Sequence, residues 1–468
     1  MSQEKLGAAL GIIARLETAG HRAVLAGGCV RDLLLGRRPQ DFDVATSAHP
    51  QVVLDLFPRT FAVGAHFGVV LVADEAEDGS RITTEVATFR TESSYTDGRH
   101  PDAVRYAEHP EEDVQRRDFT INGLLLEAGR LSSGLLHKAA ACEGLSGSEA
   151  AQLQAAVLDF VGGVADLRAG LLRAIGEPAR RFDEDRLRLL RAVRFAARLG
   201  FAVEPLTMQA IRAGASGIAA VSRERVRDEL TKMLVEGGAR RAFELLDETG
   251  LLGEVLPEVA RMKSVEQPAQ FHPEGDVWQH TLKVLGQLEP GCAMTLGWGA
   301  LLHDVGKPAT MTRTDRIRFN GHAEVGARMA EAVAERFRFS NEERCQVVAL
   351  VANHMRFVDV QRMKESTLRR FFRLEEFEAH LLLHKMDSLA ARGVLENWEY
   401  ARKRFAGLSE EEVRPRIFLT GRSLLAAGYK AGPKFKEMLE MAEDAQLEGR
   451  VRNEAEALAL MREFFPMM

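Results

Sequence analysis

Two aspartates stand one residue apart, Asp41 and Asp43, with Phe42 and Val44 giving them the apolar setting of a strand. Alternate side chains on a strand point to the same face, so this spacing predicts that both carboxylates project together. Paired carboxylates make a poor core but suit Mg²⁺, which takes oxygen ligands and keeps positions open for substrate phosphates. The pair therefore predicts a metal-assisted reaction on a phosphorylated substrate.

A glycine pair, Gly27-Gly28, precedes the aspartates and leads through Arg31 into a helix-like leucine run. Glycine allows backbone N–H groups to approach a triphosphate closely, and the arginine adds positive charge. Either pattern alone is common in ordinary turns. Their order and close spacing together predict nucleotidyl transfer by metal ions.

These motifs, in this order, resemble those of the DNA polymerase beta superfamily and, within it, the class II tRNA nucleotidyltransferase and poly(A) polymerase family. Two further runs match the family: RRDFTIN at residues 116–122, and EDRLR at residues 184–188, which is similar to an EDxxR element. The resemblance covers nearly the whole chain apart from residues 128–156, which we predict to be an insertion or an exposed helical excursion.

The resemblance implies a role for each motif. Asp41 and Asp43 would bind two Mg²⁺ ions, one activating the RNA 3′-hydroxyl and one holding the triphosphate. Asp118 and Asn122 would hold a local turn. The implied nucleotide-binding residues are Gly28, Arg31 and Arg117 at the phosphates, Asp185 and Arg188 at the base, and Arg191 and Arg194 elsewhere on the nucleotide.

Base reading by Asp185 and Arg188 is chemically reasonable. A carboxylate accepts from the exocyclic amine that cytosine and adenine share, while a guanidinium donates to ring nitrogens or carbonyls. Together they would mimic a template strand. The spacing alone, with Arg191 and Arg194 continuing every third residue round one side of a helix, equally fits a solvated charged face.

Two other segments match family elements. Residues 222–226, SRERV, are near an SxERI element that we interpret as mainly structural. Residues 90–101 fit a flexible loop that helps to switch specificity from C to A, which argues against an enzyme limited to adding CC.

A second set of candidate residues begins with the adjacent pair His303-Asp304 in the run LLHDVGKP. Such a pair, with further histidines and aspartates on separate helices, is expected of a metal cleft in a helical bundle. It resembles the HD phosphohydrolase superfamily. That resemblance implies one metal held by His280, His303, Asp304 and Asp387, and a second held by His322 and His354 with Asp304 bridging.

Such a centre would take a divalent transition metal, Ni²⁺, Mn²⁺, Co²⁺ or Fe²⁺, with Lys307 near enough to contact phosphate. Paired metals activate water and clamp a phosphate, so the expected reaction is phosphomonoester or cyclic phosphodiester hydrolysis.

The elements that position these groups follow from composition. Residues 1–20 predict an amphipathic helix, and residues 22–28, 61–72 and 81–90 have the valine, phenylalanine and threonine content of strands. We predict an α+β fold: a small mixed-sheet, polymerase beta-like head followed by an all-α body and an all-α HD domain. The expected domains are residues 1–165, 166–266, 267–410 and a helical tail, 411–468.

Composition bounds the alternatives. No run of about 18 apolar residues and no basic leader followed by an apolar stretch appears, so we expect a cytoplasmic protein away from membranes. The net charge of −6 opposes nucleic-acid binding overall, but residues 168–198 are dense in arginine, which is compatible with local RNA binding. The four cysteines are widely spaced and predict neither a zinc ribbon nor disulfides.

We therefore expect template-independent addition of CCA to tRNA 3′ ends from CTP and ATP, without a DNA template. Poly(A) polymerase and an enzyme that adds only the terminal A share the head motifs and stay open. A protein of another class is the third alternative: an RNA-binding, metal-dependent phosphohydrolase whose head only binds RNA.

Overall fold

The computed structural model describes residues 2–61, 68–76, 78–92, 104–270 and 272–466. The chain forms two compact units, residues 1–255 and 256–468. No helix in these described ranges combines the length and apolar composition that crossing a lipid bilayer requires.

The first unit opens as an α+β head, in which valine- and threonine-rich segments form strands between short helices. Its strands are β1 (Ala23–Ala26), β2 (Asp43–Thr46), β3 (Thr60–Phe61), β4 (Val69–Glu75), β5 (Arg81–Thr88), β6 (Arg90–Glu92), β7 (Val104–Tyr106), β8 (Leu125–Leu126) and β9 (Val157–Leu158). Its helices are α1 (Ser2–Thr18), α2 (Gly28–Leu34), α3 (Pro50–Leu56), α4 (Pro110–Gln115), α5 (Ser133–Ala140), α6 (Gly147–Ala155) and α7 (Gly163–Ala169).

Seven strands form one sheet in the order β3-β4-β5-β2-β1-β8-β9. Strands β2 and β5 run parallel and the other neighbours antiparallel, so the predicted mixed-sheet head is confirmed. All four residues of β1 are buried, and the buried face of α1, with Leu6, Ile13 and Leu16, packs on the sheet. The predicted N-terminal helix is confirmed as well.

The prediction for residues 128–156 is half right. The segment is helical, since it contains both α5 and α6, but it is not an exposed excursion. Leu135, Leu136 and Ala140 are buried, because α5 packs against α1. Ser146 starts α6 with a capping box, in which its hydroxyl and the Glu149 carboxylate each accept a backbone N–H.

Helices complete the first unit, with one short pair of parallel strands among them. These elements are β10 (Leu171–Leu172), α8 (Pro178–Glu184), α9 (Arg188–Leu199), β11 (Ala202–Val203), α10 (Pro205–Gly214), α11 (Arg223–Val235), α12 (Ala239–Glu248) and α13 (Leu251–Val255). Helix α9 packs on α11 and α12, and ends at Gly200, whose φ of 74° is the left-handed conformation that glycine adopts readily.

In the described part of the second unit, the regular structure is helical apart from one small hairpin. Its elements are α14 (Pro257–Ala260), α15 (Val277–Leu285), α16 (Met294–Leu302), α17 (Lys307–Thr310), β12 (Thr312–Arg313), β13 (Ile317–Arg318), α18 (His322–Arg336), α19 (Asn341–Asn353), α20 (Glu365–Phe372), α21 (Phe377–Ala390), α22 (Glu396–Ala406), α23 (Glu410–Val413), α24 (Gly421–Ala426), α25 (Lys434–Leu447) and α26 (Glu454–Phe464). Helices α24–α26 bury a small core of their own, and Glu443 of α25 pairs with Arg370 and Arg373 beside α20.

Gly163 offers a test of how tightly the head is packed. A Cβ added there would lie 2.2 Å from the Thr120 carbonyl oxygen, in the turn that follows Asp118. We expect Gly163→Ala to lower the free energy of unfolding by about 3 kcal/mol, because a backbone atom would have to move. Gly147→Ala is the matched control, since a Cβ there meets open space, and it should stay within about 0.5 kcal/mol. Urea unfolding measures both, and equal stabilities would contradict the prediction.

Candidate functional site

A cleft of about 700 Å³ in the first unit is lined by all nine residues predicted to bind the metal ions or the nucleotide, from the head and from the helical region after it. They are Gly28, Arg31, Asp41, Asp43, Arg117, Asp185, Arg188, Arg191 and Arg194. The structure thus brings together residues far apart in the chain, although their roles remain predictions. The cleft has a carboxylate end and an arginine-rich end.

At the carboxylate end, the local geometry of the aspartate pair differs from the prediction. Strand β2 begins at Asp43, so Asp41 lies in the preceding loop rather than on the same strand. The Asp41 carboxylate accepts from the Lys5 ammonium at 2.7 Å and is largely exposed. Both carboxylates line the cleft nonetheless.

Sequence reasoning missed a third carboxylate, that of Glu85. The parallel register that pairs Val44 with Val86 brings Glu85 on β5 beside Asp43, and Glu85 lines the cleft. Burial, then the charges of Glu85 and Asp41, raise the pKa of Asp43 to about 6. The three carboxylates repel one another, and a divalent cation would offset that repulsion. The residues therefore fit the metal expected there.

The chain turns from β1 into α2 through the glycine pair. Gly27 has the left-handed φ of 73°, and a Cβ there would lie 3.2 Å from Arg117 Nη1. Arg31, on α2, is almost fully buried; its Nη1 donates to Asn122 Oδ1 at 2.6 Å and its Nε to Asp32 at 2.8 Å. The backbone of the turn and fixed guanidinium groups therefore form this wall of the cleft.

The run RRDFTIN is held by buried carboxylates. Asp113 accepts from Arg117 at 2.9 Å, and Asp118 accepts from the Phe119 N–H and from Asn122, which confirms that Asp118 and Asn122 hold the turn. Burial would raise the pKa of Asp118, but Arg191, at 2.6 Å, holds it below its usual value. Asp118 therefore also fixes an arginine of the cleft.

At the other end of the cleft, Asp185 lies outside the helix predicted for it. It follows α8 with an extended backbone, and its carboxylate accepts from the Leu187 N–H at 3.0 Å and from Arg225 at 2.8 Å. Arg188, the first residue of α9, donates to Glu184 at 2.9 Å. Arg225 belongs to the segment interpreted as mainly structural, and sequence reasoning missed its place in the cleft.

Arg194, one turn further along α9 than Arg191, is buried and donates to Glu229 at 2.7 Å, with Phe195 packed 4.3 Å from its guanidinium carbon. The flexible loop predicted at residues 90–101 lies outside the described residues except for Arg90–Glu92, which form β6.

In the second unit, the six residues predicted for the HD centre come together from five segments: His280 on α15, His303 and Asp304 after α16, His322 opening α18, His354 after α19, and Asp387 on α21. They form two groups that could each hold a metal ion: His280 with His303 and Asp387, and Asp304 with His322 and His354. Asp304 Oδ2 lies 3.2 Å from His303 Nε2, and its Oδ1 lies 3.6 Å from His322 Nε2. Asp304 therefore has the position that bridging requires.

Backbone carbonyls orient three of the four imidazoles. The Nδ1 atoms of His303, His322 and His354 lie 2.9, 2.8 and 2.7 Å from the carbonyl oxygens of Ala300, Phe319 and Val351. A carbonyl oxygen can only accept, so each Nδ1 carries hydrogen and each Nε2 lone pair is directed into the cluster. This is the arrangement that metal ligands need.

The centre contains buried polar atoms with no hydrogen-bond partner: His280 Nε2, His303 Nε2 and Asp304 Oδ2. Burial, then the charge of His303, lowers the pKa of His354 to about 4, so this ring is neutral at pH 7 and able to ligate. The donor set fits a divalent transition metal. The Lys307 ammonium, expected near phosphate, forms an ion pair with Asp304 at an N–O distance of 2.7 Å and donates a hydrogen bond to Gln267 Oε1 at 2.7 Å.

Sequence reasoning missed His272 and Glu274, which stand next to this cluster. Both form a further group with His280 that could hold a cation. Both belong to the run HPEGD, residues 272–276, close to the start of the domain predicted at residues 267–410.

Family models match three parts of the chain. Residues 23–173 match the poly A polymerase head domain, residues 200–263 the probable RNA- and SrmB-binding site of polymerase A, and residues 277–392 the HD domain. The head and the HD domain both belong to divalent-metal-dependent types.

Named relatives agree with these matches. The chain is 40% identical over 252 residues to the CCA-adding enzyme of Lactobacillus gasseri, covering 54% of this chain and 56% of the relative. It is 40% identical over 243 residues to that of Geobacillus stearothermophilus, covering 52% and 53%. The chain thus spans about half the length of the curated relatives it matches.

Solved structures extend the likeness over the whole length. The CCA-adding enzyme of Bacillus stearothermophilus, solved in complex with CTP, is 28% identical, covers 98% of each chain and has a TM-score of 0.71. The Thermotoga maritima CCA-adding enzyme, solved with tRNA, is 17% identical with a TM-score of 0.54 and coverage of 97% and 93%, which shows a shared fold.

Asp43 makes a pH prediction possible. Its pKa near 6 in the folded protein exceeds the unfolded value near 4, so the folded state binds a proton that the unfolded chain releases. The free energy of unfolding therefore falls as the pH rises from about 4 to 6, and the cost is fully present above pH 6. In EDTA at pH 8 we expect Asp43→Asn to be about 1–3 kcal/mol more stable than the wild type.

Guanidinium unfolding at pH 8 and pH 5 measures the difference, which should shrink at the lower pH. Asp74→Asn, on the same sheet but away from the cleft, is the control. An Asp43→Asn protein no more stable than the wild type at pH 8 would contradict the electrostatic account.

Proposed function

This chain belongs to the tRNA nucleotidyltransferase and poly(A) polymerase family, and we propose that it adds CCA to the 3′ end of tRNA from CTP and ATP without a template. The observation that carries the proposal is the single cleft that joins Asp41 and Asp43 to Asp185 and Arg188. Metal binding and base selection would thus act on one nucleotide. Action on tRNA would place the enzyme in the cytoplasm.

The chemistry of each wall supports this assignment. Two Mg²⁺ ions held by Asp41 and Asp43, with Glu85 beside them, would activate the RNA 3′-hydroxyl and neutralise the triphosphate. Gly28, Arg31 and Arg117 would bind phosphate oxygens as charge develops there. Guanidinium groups that are already fixed by carboxylates lose little freedom on binding.

Base selection would use the fixed pair Asp185 and Arg188. The Asp185 carboxylate accepts from the Leu187 N–H and Arg225, and a carboxylate has about four acceptor positions, so it can also accept an exocyclic amine. Uracil and guanine present a carbonyl where cytosine and adenine present that amine, and they would be rejected. In this proposal, residues 1–165 carry the transfer chemistry and residues 166–266 the base reading and RNA binding.

Nucleotide addition to two tRNA transcripts, one lacking CCA and one ending in CC, tests the proposal. With Mg²⁺, CTP and ATP, we expect three added nucleotides on the first transcript and one A on the second, with growth then stopping. Asp41→Ala and Asp43→Ala should each lower the rate by about 10³-fold or more, since several kcal/mol of charge stabilisation are lost. Product lengths on a sequencing gel and single-turnover rates give both results.

Asp74→Ala should add nucleotides at the wild-type rate. Extension of the CC-ended transcript alone would indicate an A-adding enzyme, and long ladders with ATP alone a poly(A) polymerase. Full activity of Asp41→Ala and Asp43→Ala would refute the metal assignment.

A second activity is favoured by the HD centre, where the buried Nε2 atoms of His280 and His303 have no hydrogen-bond partner. We propose that residues 267–410 hydrolyse phosphomonoesters or cyclic phosphodiesters. Ni²⁺, Mn²⁺, Co²⁺ or Fe²⁺ held by His280, His303, Asp304 and Asp387, with a second ion at His322 and His354, would activate water and clamp the phosphate.

His303→Ala tests this activity. We expect it to lose metal-dependent hydrolysis of p-nitrophenyl phosphate and of 2′,3′-cyclic AMP by at least about 10²-fold, while its nucleotide addition stays at the wild-type rate. Release of nitrophenol and of AMP after dialysis against each metal measures the loss. Unchanged hydrolysis by His303→Ala would remove the HD centre as its source.

A further inference from the structure

His280 differs from the other three imidazoles of the HD centre in what holds its Nδ1 atom. The others donate to backbone carbonyls, whereas His280 Nδ1 lies 2.6 Å from the Glu274 carboxylate. Both side chains are fully buried. A charged acceptor in a buried place holds a ring nitrogen more strongly than a neutral carbonyl does.

The Glu274 carboxylate belongs to the loop that precedes α15. The ends of this loop are joined by Asp276, which accepts from the Ser264 N–H at 2.7 Å and, at the start of α15, from the Gln279 N–H at 2.8 Å. Glu274 Oε1 also accepts from His272 Nδ1 at 2.9 Å. The carboxylate is therefore fixed on two sides before any metal binds.

We propose that Glu274 is the positioning residue of the HD metal centre. Its carboxylate keeps hydrogen on His280 Nδ1, which leaves Nε2 as the atom that would bind a metal beside Asp387 and Asp304, whose oxygens lie 3.0 and 3.8 Å from it. A carboxylate behind an imidazole also makes it a stronger ligand. The loop thus belongs to the metal centre, although the HD domain match begins only at residue 277.

The same loop supports the neighbouring ligand. Gln267 Oε1 accepts from the Lys307 ammonium, which in turn contacts Asp304 Oδ2. Two residues of the loop therefore act on two metal ligands. Glu274 contacts His280 directly, and Gln267 acts on Asp304 through Lys307. This inference rests on the proposed HD centre and concerns how that centre is held.

Metal affinity tests the inference without relying on activity. The full-length protein is stripped with a chelator and titrated with Co²⁺ against a competing chelator, while the visible absorption bands of bound Co²⁺ are recorded. We expect Glu274→Gln to bind the ion about 10- to 100-fold more weakly than the wild type with the band positions kept, because the ligands themselves are unchanged. Glu266→Gln is the matched control, since Glu266 lies in the same loop, exposed and paired with Arg313.

Each outcome decides between the alternatives. If Glu274→Gln binds Co²⁺ as tightly as the wild type, this inference is overturned but the HD proposal is not. If the Co²⁺ bands shift, Glu274 is a direct ligand, and the positioning role is overturned. A wild-type protein that binds no Co²⁺ overturns the HD proposal together with this inference. Where Glu274→Gln does not fold, Glu274→Asp replaces it, and an affinity equal to the wild type with its shorter reach overturns the positioning role.

Discussion

The buried carboxylate of Asp118 is the interaction on which the nucleotide cleft depends. One oxygen accepts from the Phe119 N–H and from Asn122, and the other binds Arg191 on α9. Asn122 in turn accepts from Arg31 on α2. A single chain of hydrogen bonds therefore joins α2, the turn at residues 120–122 and α9, and so fixes the walls of the cleft relative to each other. The buried Asp118 carboxylate would cost several kcal/mol of stability without these partners, so the loss of a partner would also destabilise the remaining hydrogen bonds.

In the HD centre, neutral backbone carbonyls rather than a carboxylate orient most of the imidazole rings. Each of His303, His322 and His354 is the first residue after, or the first residue of, a helix, where its ring can bond a carbonyl three positions earlier. The Phe319 carbonyl precedes α18 and also accepts from the His322 N–H, but the Ala300 and Val351 carbonyls lie in the last turns of α16 and α19, where helix ends leave carbonyls without partners inside the helix. Placing ligands there satisfies the carbonyls and orients the rings at once. His280 lies inside α15, where carbonyls are already bonded, and for that reason its partner must come from a side chain.

Local patterns in the sequence predicted several of the elements, whereas the resemblance to the family supplied the residues that line the cleft. Valine and threonine content predicted the strand β5. The arginines spaced every third residue do lie on a helix, α9, but Arg188 and Arg194 are buried rather than on a solvated face. Glu85 could not be predicted from such patterns, because its place beside Asp43 depends on the register between β2 and β5, two strands that are distant in the sequence. Arg225 reaches Asp185 only through the packing of α9 on α11. Glu274 depends on a loop conformation for which its sequence carries only turn signals.

The arginines of the cleft explain how an acidic chain can hold a polyanion. Arg31, Arg117 and Arg194 each already donate to a carboxylate of the protein, so these guanidinium groups are oriented before any nucleotide binds. A guanidinium has five donors in a fixed plane, and it can therefore keep its carboxylate while presenting other N–H groups to a phosphate. A lysine has a compact charge on a flexible stem, so a carboxylate partner would not fix the direction of its remaining N–H groups toward a phosphate as firmly. The carboxylates behind the arginines thus set their orientation, and net charge over the whole chain has little bearing on what this cleft binds.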